Sequence, residues 1–161
     1  MMVELARAGV IPQTWQVFHI CGEKDSADLR SAYQQAGVPA AVETFCDRMG
    51  LAWRSASLAI TRAGASTVAE AWANATPTIF FPYPYHKDQH QRLNAQPLVA
   101  TGGARMLTDL IEPDANVTQI APILQGLIST PSQRHQMIQK MLASRPADGA
   151  TVVAGWIAGS V

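Results

Sequence analysis

Charge is scarce in this sequence. Asp, Glu, Lys and Arg make up only 15% of its 161 residues, against about a quarter in an average soluble domain. Twelve acidic and twelve basic residues cancel to a formal charge of zero. No basic stripe stands out, so the electrostatic footprint of a nucleic-acid-binding protein is missing. Cysteine is nearly absent. Cys21 and Cys46 lie far apart without metal-type spacing, which reads as two free thiols in a reducing compartment. No apolar run approaches the roughly 20 residues needed to span a membrane. The first residues lack the apolar core of a signal peptide, so a cytoplasmic location is expected. Hairpin dipeptides and internal repeats are missing too. No Gly-x-Gly-x-x-Gly follows the first predicted strand, which speaks against a nicotinamide-binding domain.

Apolar residues fill the space that charge leaves, at 48% of the chain. The length predicts one domain over residues 1–161 with a proper core, and the low charge predicts an apolar surface that a partner or further segment covers. Met1 to Gly9 reads as the end of an amphipathic helix closed by glycine. Trp15 to Ile20 is rich in β-formers and predicts a strand, with His19 a packed core residue within it. A helix from Asp25 to Ala36, a strand from Ala41 to Phe45 and a short helix from Met49 to Ala56 come next. The apolar run Ser57-Leu58-Ala59-Ile60 leads to a helix around Val68–Asn74. Pro77-Thr78-Ile79-Phe80-Phe81-Pro82 is continuously apolar, as a strand buried on both faces should be. Further helices are expected over Gln89–Ala100 (with Pro97 interrupting it), Val117–Ile128, Pro131–Ala143 and Thr151–Ala158, with a short strand at Ala104–Leu107. Capping Thr, Ser or Asp residues are expected to open the helices after Leu107. This alternation predicts an α/β fold, a Rossmann-like parallel sheet with helices on both faces. Ligands bind such sheets beyond the strands' carboxyl ends, where Cys21-Gly22, Phe45-Cys46-Asp47, Thr61 to Thr67 and Tyr83 to Asp88 all fall.

The most informative stretch is Ile60-Thr61-Arg62-Ala63-Gly64-Ala65-Ser66-Thr67-Val68-Ala69-Glu70. A strand, a small-residue turn and a helix in that order form a phosphate cradle. Gly64 takes positive φ at little cost, the helix start offers outward N–H groups and a favourable dipole, and Ser66 and Thr67 add hydroxyls. Glu70 is poorly suited to a phosphate, but a carboxylate there accepts two hydrogen bonds from ribose hydroxyls. A nucleotide is implied, with its sugar over Glu70 and its phosphates over the turn. The competing reading is a capping box, in which Ser66 or Thr67 and Glu70 merely close the helix start. Arg62 supports the phosphate turn on one reading and pairs with Asp47 or Glu70 on the other. Asn94 is expected to brace the loop, Asp88 to cap the following helix, and Lys87 to lie on the surface. Trp53, Trp72, Tyr83 and Tyr85 read as packing aromatics. His86 and His90 sit near the crevice as loop and donor-side residues, and His135 reads as solvated.

Phe45-Cys46-Asp47-Arg48-Met49, the Arg62–Glu70 block, Pro77 to Pro84 and His90-Gln91-Arg92-Leu93-Asn94-Ala95 together resemble the C-terminal, donor-binding domain of the MurG-type family 28 glycosyltransferases. The resemblance covers nearly the whole chain. It implies one half of a GT-B fold, with UDP-GlcNAc as donor substrate and no metal or other cofactor. The activity it implies is transfer of GlcNAc to a lipid-linked acceptor in peptidoglycan (lipid II) synthesis. Carried over by position, Glu70 holds the ribose and Ala65, Ser66 and Thr67 serve the pyrophosphate and sugar, within a turn and helix start that include Arg62, Gly64 and Val68. Phe45 lies near the uracil and the Cys46 backbone reads its edge. Gln91 bonds the GlcNAc ring, with His90 and Asn94 beside it.

The sequence departs from the family in lacking the first strand, its Gly-Gly-Ser loop and the N-terminal domain. No catalytic residue is therefore expected in this chain. The implied partners are an N-terminal acceptor domain in cis or on another chain, through it a lipid-linked acceptor at the inner membrane face, and a second copy through self-association. A non-catalytic nucleotide-sugar-binding module, or a subunit of a split transferase, is the alternative.

Overall fold

The computed structural model describes residues 1–85, 87–145 and 149–159. Strands and helices alternate through β1 (Val17–Ile20), α2 (Ser26–Gln35), β2 (Ala40–Glu43), α3 (Met49–Ser55), β3 (Ala59–Thr61), α4 (Ala65–Ala73), β4 (Thr78–Phe80), α5 (His90–Ala100) and β5 (Ala104–Met106). A leading helix, α1 (Met2–Arg7), precedes them, and α6 (Pro113–Ser129), α7 (Pro131–Ala143) and α8 (Gly149–Ile157) follow. The described strands all pair in parallel. The α/β class and the helix-covered parallel pairing agree with the expectation from sequence.

The reason is clearest in β4. Its three residues are all buried, and side chains alternate across a strand. Ile79 therefore enters a core built with α1, α2, α6 and α7, among them Leu5, Tyr33, Ile120 and Leu127. Phe80 enters the opposite core with Trp53, Val68, Leu98 and Met141. A strand apolar on both faces is stable only with helices on both sides, and that is what surrounds it.

The sheet differs from expectation in one respect. Among the described residues it is two ladders, β1–β2 and β3–β4–β5, with no pairing between β1 and β3. Val17 N–H donates to Pro39 C=O at 2.9 Å and Cys21 N–H to Glu43 C=O at 3.0 Å. By the alternation of a parallel ladder, the backbone groups of Phe18 and Ile20 point away from β2. Those of Ile60 likewise point away from β4, because Ala59 N–H donates to Pro77 C=O and Phe81 N–H to Thr61 C=O. Between these edges runs a cleft of about 2030 Å³, lined among others by Phe18, Ile20, Leu29, Leu58, Ile60 and Leu124. It stands where one further strand would make the sheet continuous.

Helix ends show smaller corrections. Helix α4 starts at Ala65, three residues before the apolar periodicity does, because its first turn is solvent-facing. Helix α5 runs through Pro97. Neither α6 nor α7 has the expected hydroxyl or carboxylate cap; each carries proline in its first turn instead, where a missing N–H costs nothing. His86 lies outside the described residues.

Candidate functional site

Strand β3 leads into the turn Arg62-Ala63-Gly64, and α4 begins at once. Ala63 is fully buried and anchors the turn. Asn94 on α5 donates from Nδ2 to Ala63 C=O at 3.2 Å, so it braces the loop as expected and is held away from a ligand role. Gly64 has φ −62° and ψ 151°, an extended conformation that any residue adopts, and not the positive φ expected of it. A Cβ there would meet only Thr67 Oγ1 at 3.6 Å, so the turn is open rather than strained.

The first backbone bond of α4 joins Val68 N–H to Gly64 C=O at 2.9 Å. The N–H groups of Ala65, Ser66 and Thr67 precede it and have no intrahelical acceptor. Neither hydroxyl caps them, and Ala65 and Ser66 are exposed. Val68 departs from the expected set. Its N–H is already bonded and its side chain is 6% exposed in the core, so it has nothing to offer a ligand.

Glu70 stands in the second turn of α4, too far along to reach back to the helix start, and the capping-box reading falls with that. Its Oε2 instead accepts the indole N–H of Trp53 at 2.7 Å. Trp53 is itself fixed, because Thr76 Oγ1 donates to its C=O at 2.9 Å. Glu70 remains half-exposed. A helix start with open N–H groups therefore has, one turn on, a carboxylate held, among the described residues, by one oxygen only. That combination suits an anion beside a polyhydroxylated group.

Arg62 pairs with neither Asp47 nor Glu70. Its guanidinium meets Asp109 Oδ2 at 2.6 Å, donates to Phe81 C=O at 3.0 Å and lies 5.6 Å from the Tyr83 ring centroid. Asp109 also accepts from Asn116 Nδ2 at 2.7 Å and Ile111 N–H at 2.9 Å. Burial raises its pKa, but the bonds from Asn116, Ile111 and Arg62, with the arginine's charge, outweigh that and hold it below the ordinary carboxylate value. The pair ties the β3–α4 turn to the loop after β5. Arg62 is thus a brace of the turn, with its charge already matched.

The loop after β4 carries the next candidates. Gln91 Oε1 accepts Tyr83 N–H at 2.9 Å, which fixes the side chain and leaves its amide nitrogen as the donor. His90 opens α5, with Nδ1 2.8 Å from Asp88 Oδ1 and its N–H bonded to the same oxygen at 3.3 Å; Asp88 acts as the expected cap. Phe45 follows β2 with 76% exposure, an aromatic face with almost no packing of its own. Cys46 lines the cleft together with Trp53 and Arg62, whereas Ser66, Thr67, Glu70, Gln91 and Asn94 do not. The cleft therefore does not collect the whole set.

Two residues escaped the sequence reading in this role. Trp53 was expected only to pack, and Asp109 was not singled out. A buried indole does need a partner for its N–H, but nothing local names a residue 17 positions away. His135 lies exposed on α7 as expected, whereas His19 is half-buried at the cleft rather than packed in the core, with Nδ1 2.9 Å from Tyr33 Oη.

The sequence matches the glycosyltransferase family 28 C-terminal domain over residues 4–152. It is 36% identical over 138 residues to the UDP-N-acetylglucosamine–N-acetylmuramyl-(pentapeptide) pyrophosphoryl-undecaprenol N-acetylglucosamine transferase of Geobacter sp. (strain M21), covering 86% of this chain and 36% of that protein. The protein of the same name from Xylella fastidiosa (strain Temecula1) is 37% identical over 139 residues, or 86% of this chain and 38% of the relative. The crystal structure of MurG from Acinetobacter baumannii superimposes with a TM-score of 0.75 at 25% identity, covering 89% of this chain and 43% of that one. The chain spans little more than a third of the length of these curated relatives.

Proposed function

The chain belongs to the glycosyltransferase family 28 C-terminal domain family, and from that membership we propose that it is the donor-binding half of a hexosyltransferase. In this reading it holds UDP-GlcNAc for transfer of GlcNAc to a lipid-linked acceptor in peptidoglycan synthesis. The acceptor site and the base that deprotonates the acceptor hydroxyl come from an N-terminal domain in cis or from a partner chain. Membrane association would come through that partner, since no described helix is long and apolar enough to cross a bilayer.

One observation carries the reading: the open N–H groups of Ala65, Ser66 and Thr67 precede Glu70 on one helix, and among the described residues Glu70 is bound through only one of its oxygens. The pyrophosphate sits at the helix start, where the dipole and three N–H donors receive the charge that grows on the leaving UDP as the glycosidic bond breaks. Glu70 accepts the ribose hydroxyls. Phe45 stacks on the uracil, and the backbone of Cys46 reads its edge. Gln91 donates from its amide nitrogen to the GlcNAc ring, with His90 alongside. Arg62 and Asn94 act on the ligand only by holding the turn in shape. Neutralisation of the leaving group by the helix makes no demand for a metal ion.

Calorimetric titration of the purified protein with UDP, UDP-GlcNAc and NAD tests this. Binding of UDP and UDP-GlcNAc that weakens at least about tenfold in Glu70→Ala is expected, the loss of a charge-assisted pair. Unchanged UDP affinity in that variant, or binding of NAD alone, would overturn the reading.

A further inference from the structure

Glu70 is a flexible side chain that has lost its flexibility. The group responsible is Trp53, which sits on a different element, α3, with 6% exposure. An indole N–H only donates, and a buried one needs an acceptor. Here the acceptor is a carboxylate oxygen at 2.7 Å, a length typical of a charge-assisted bond. The indole cannot drift from that position. Its backbone is pinned by Thr76 and its ring is packed in the core with Val68, Ala71 and Phe80. Asn74 Nδ2 in turn donates to the backbone carbonyl of Glu70 at 2.9 Å, so both ends of the glutamate are held.

We propose that Trp53 is a positioning residue: its N–H sets the plane of the Glu70 carboxylate so that the free oxygen and the remaining lone pair of Oε2 together receive two adjacent hydroxyls. This rests on the nucleotide-sugar reading above and adds to it. A carboxylate free to rotate would have to be ordered by the ligand, whereas this one is ordered beforehand, which favours binding by removing that entropy cost. The selectivity that results is for a vicinal diol, because a ligand with one hydroxyl leaves half of the prepared acceptor unmet. Trp53 does not itself touch the ligand.

The test compares UDP with 2′-deoxy-UDP by calorimetry in the wild-type protein, Trp53→Phe and Glu70→Ala. In Trp53→Phe, which keeps an aromatic ring and removes the N–H, UDP affinity is expected to fall about five- to tenfold, the scale of one ordinary hydrogen bond, while 2′-deoxy-UDP affinity stays unchanged. The ribo-to-deoxy ratio therefore collapses. A merely structural tryptophan would lower the melting temperature and leave that ratio alone, and a preserved ratio overturns the proposal. Loss of UDP binding in Glu70→Ala beside a preserved ratio in Trp53→Phe sinks the role of Trp53 and leaves the nucleotide reading intact. Indifference of UDP binding to Glu70→Ala sinks that reading itself. Should Trp53→Phe fail to fold, the native protein answers the question. The Trp53 indole N–H resonance, assigned by elimination with Trp15→Phe, Trp72→Phe and Trp156→Phe, is expected to shift on saturation with UDP and not with 2′-deoxy-UDP. No shift with UDP overturns the proposal.

Discussion

Asp109 is 8% exposed, yet its carboxylate stays ionised because Asn116, the Ile111 N–H and Arg62 all converge on it. Replacing it by alanine strands three donors around a small void. Asp109→Ala is expected to cost about 2–3 kcal/mol, the loss of bonds to a charged group plus the unmet partners, read as a shift in the urea midpoint. The pKa of this group is lowered on folding, so its contribution is complete above the ordinary carboxylate value and lost as pH falls below it. Acid titration of stability should therefore be steeper in the wild type than in Asp109→Asn below about pH 4. His19 responds in a higher window. Burial, the main cause, lowers its pKa below 6.5, and its Nδ1 is bonded to Tyr33 Oη, whose own pKa burial pushes up to about 12. Protonation puts a charge into that half-buried site. Stability from His19 is full above pH 6.5 and falls as pH drops below that value, so thermal melts from about pH 7.5 down to about 5 should lose more in the wild type than in His19→Gln. Residues of this kind mark the limit of what the sequence could reveal. Arg62 and Glu70 could be picked out from their places in the turn and helix, but the partners of both come from elements folded in from a distance.

Between elements, small residues set how closely helices approach the sheet. Gly103 opens β5 where α5 and α7 meet, and a Cβ there would lie 2.5 Å from Met141 Cγ and 3.2 Å from Leu98 Cδ1. Both neighbours are fully buried, so neither can swing aside into solvent. Gly103→Ala is expected to destabilise the protein by about 1–3 kcal/mol through overpacking, measured by denaturant titration, whereas the same change at the open Gly50, where a Cβ meets nothing within 4 Å, should be close to neutral or favourable. Such contacts are invisible to periodicity, which reports faces and not distances. Periodicity did report the elements themselves. Pro77 to Pro82 announced a strand buried on both sides, and Leu29, Tyr33 and Ala36 announced α2, because burial imposes its period on the apolar residues. The start of α4 escaped it for the opposite reason: Ala65 and Ser66 face solvent, and no apolar residue records that they are helical.

At the scale of the whole molecule the two ladders leave β1 and β3, among the described residues, as open edges on either side of the cleft. The side chains beside it include Phe18, Ile20, Leu51 and Ile111, all more than a third exposed. Natural sheets protect such edges with charge, proline or a covering segment, and β1 carries none of the first two. The low overall charge of the sequence removes the usual electrostatic restraint on association. Molecules at high concentration should therefore pair through these edges, since each offers backbone donors and acceptors in register for a strand. Sedimentation velocity over a concentration series is expected to show a rising weight-average mass. Ile20→Lys, which puts a charge on the β1 edge, should hold the protein monomeric. A wild-type protein that sediments as a single monomer at every concentration would mean that the cleft closes on itself in solution and that its edges recruit nothing.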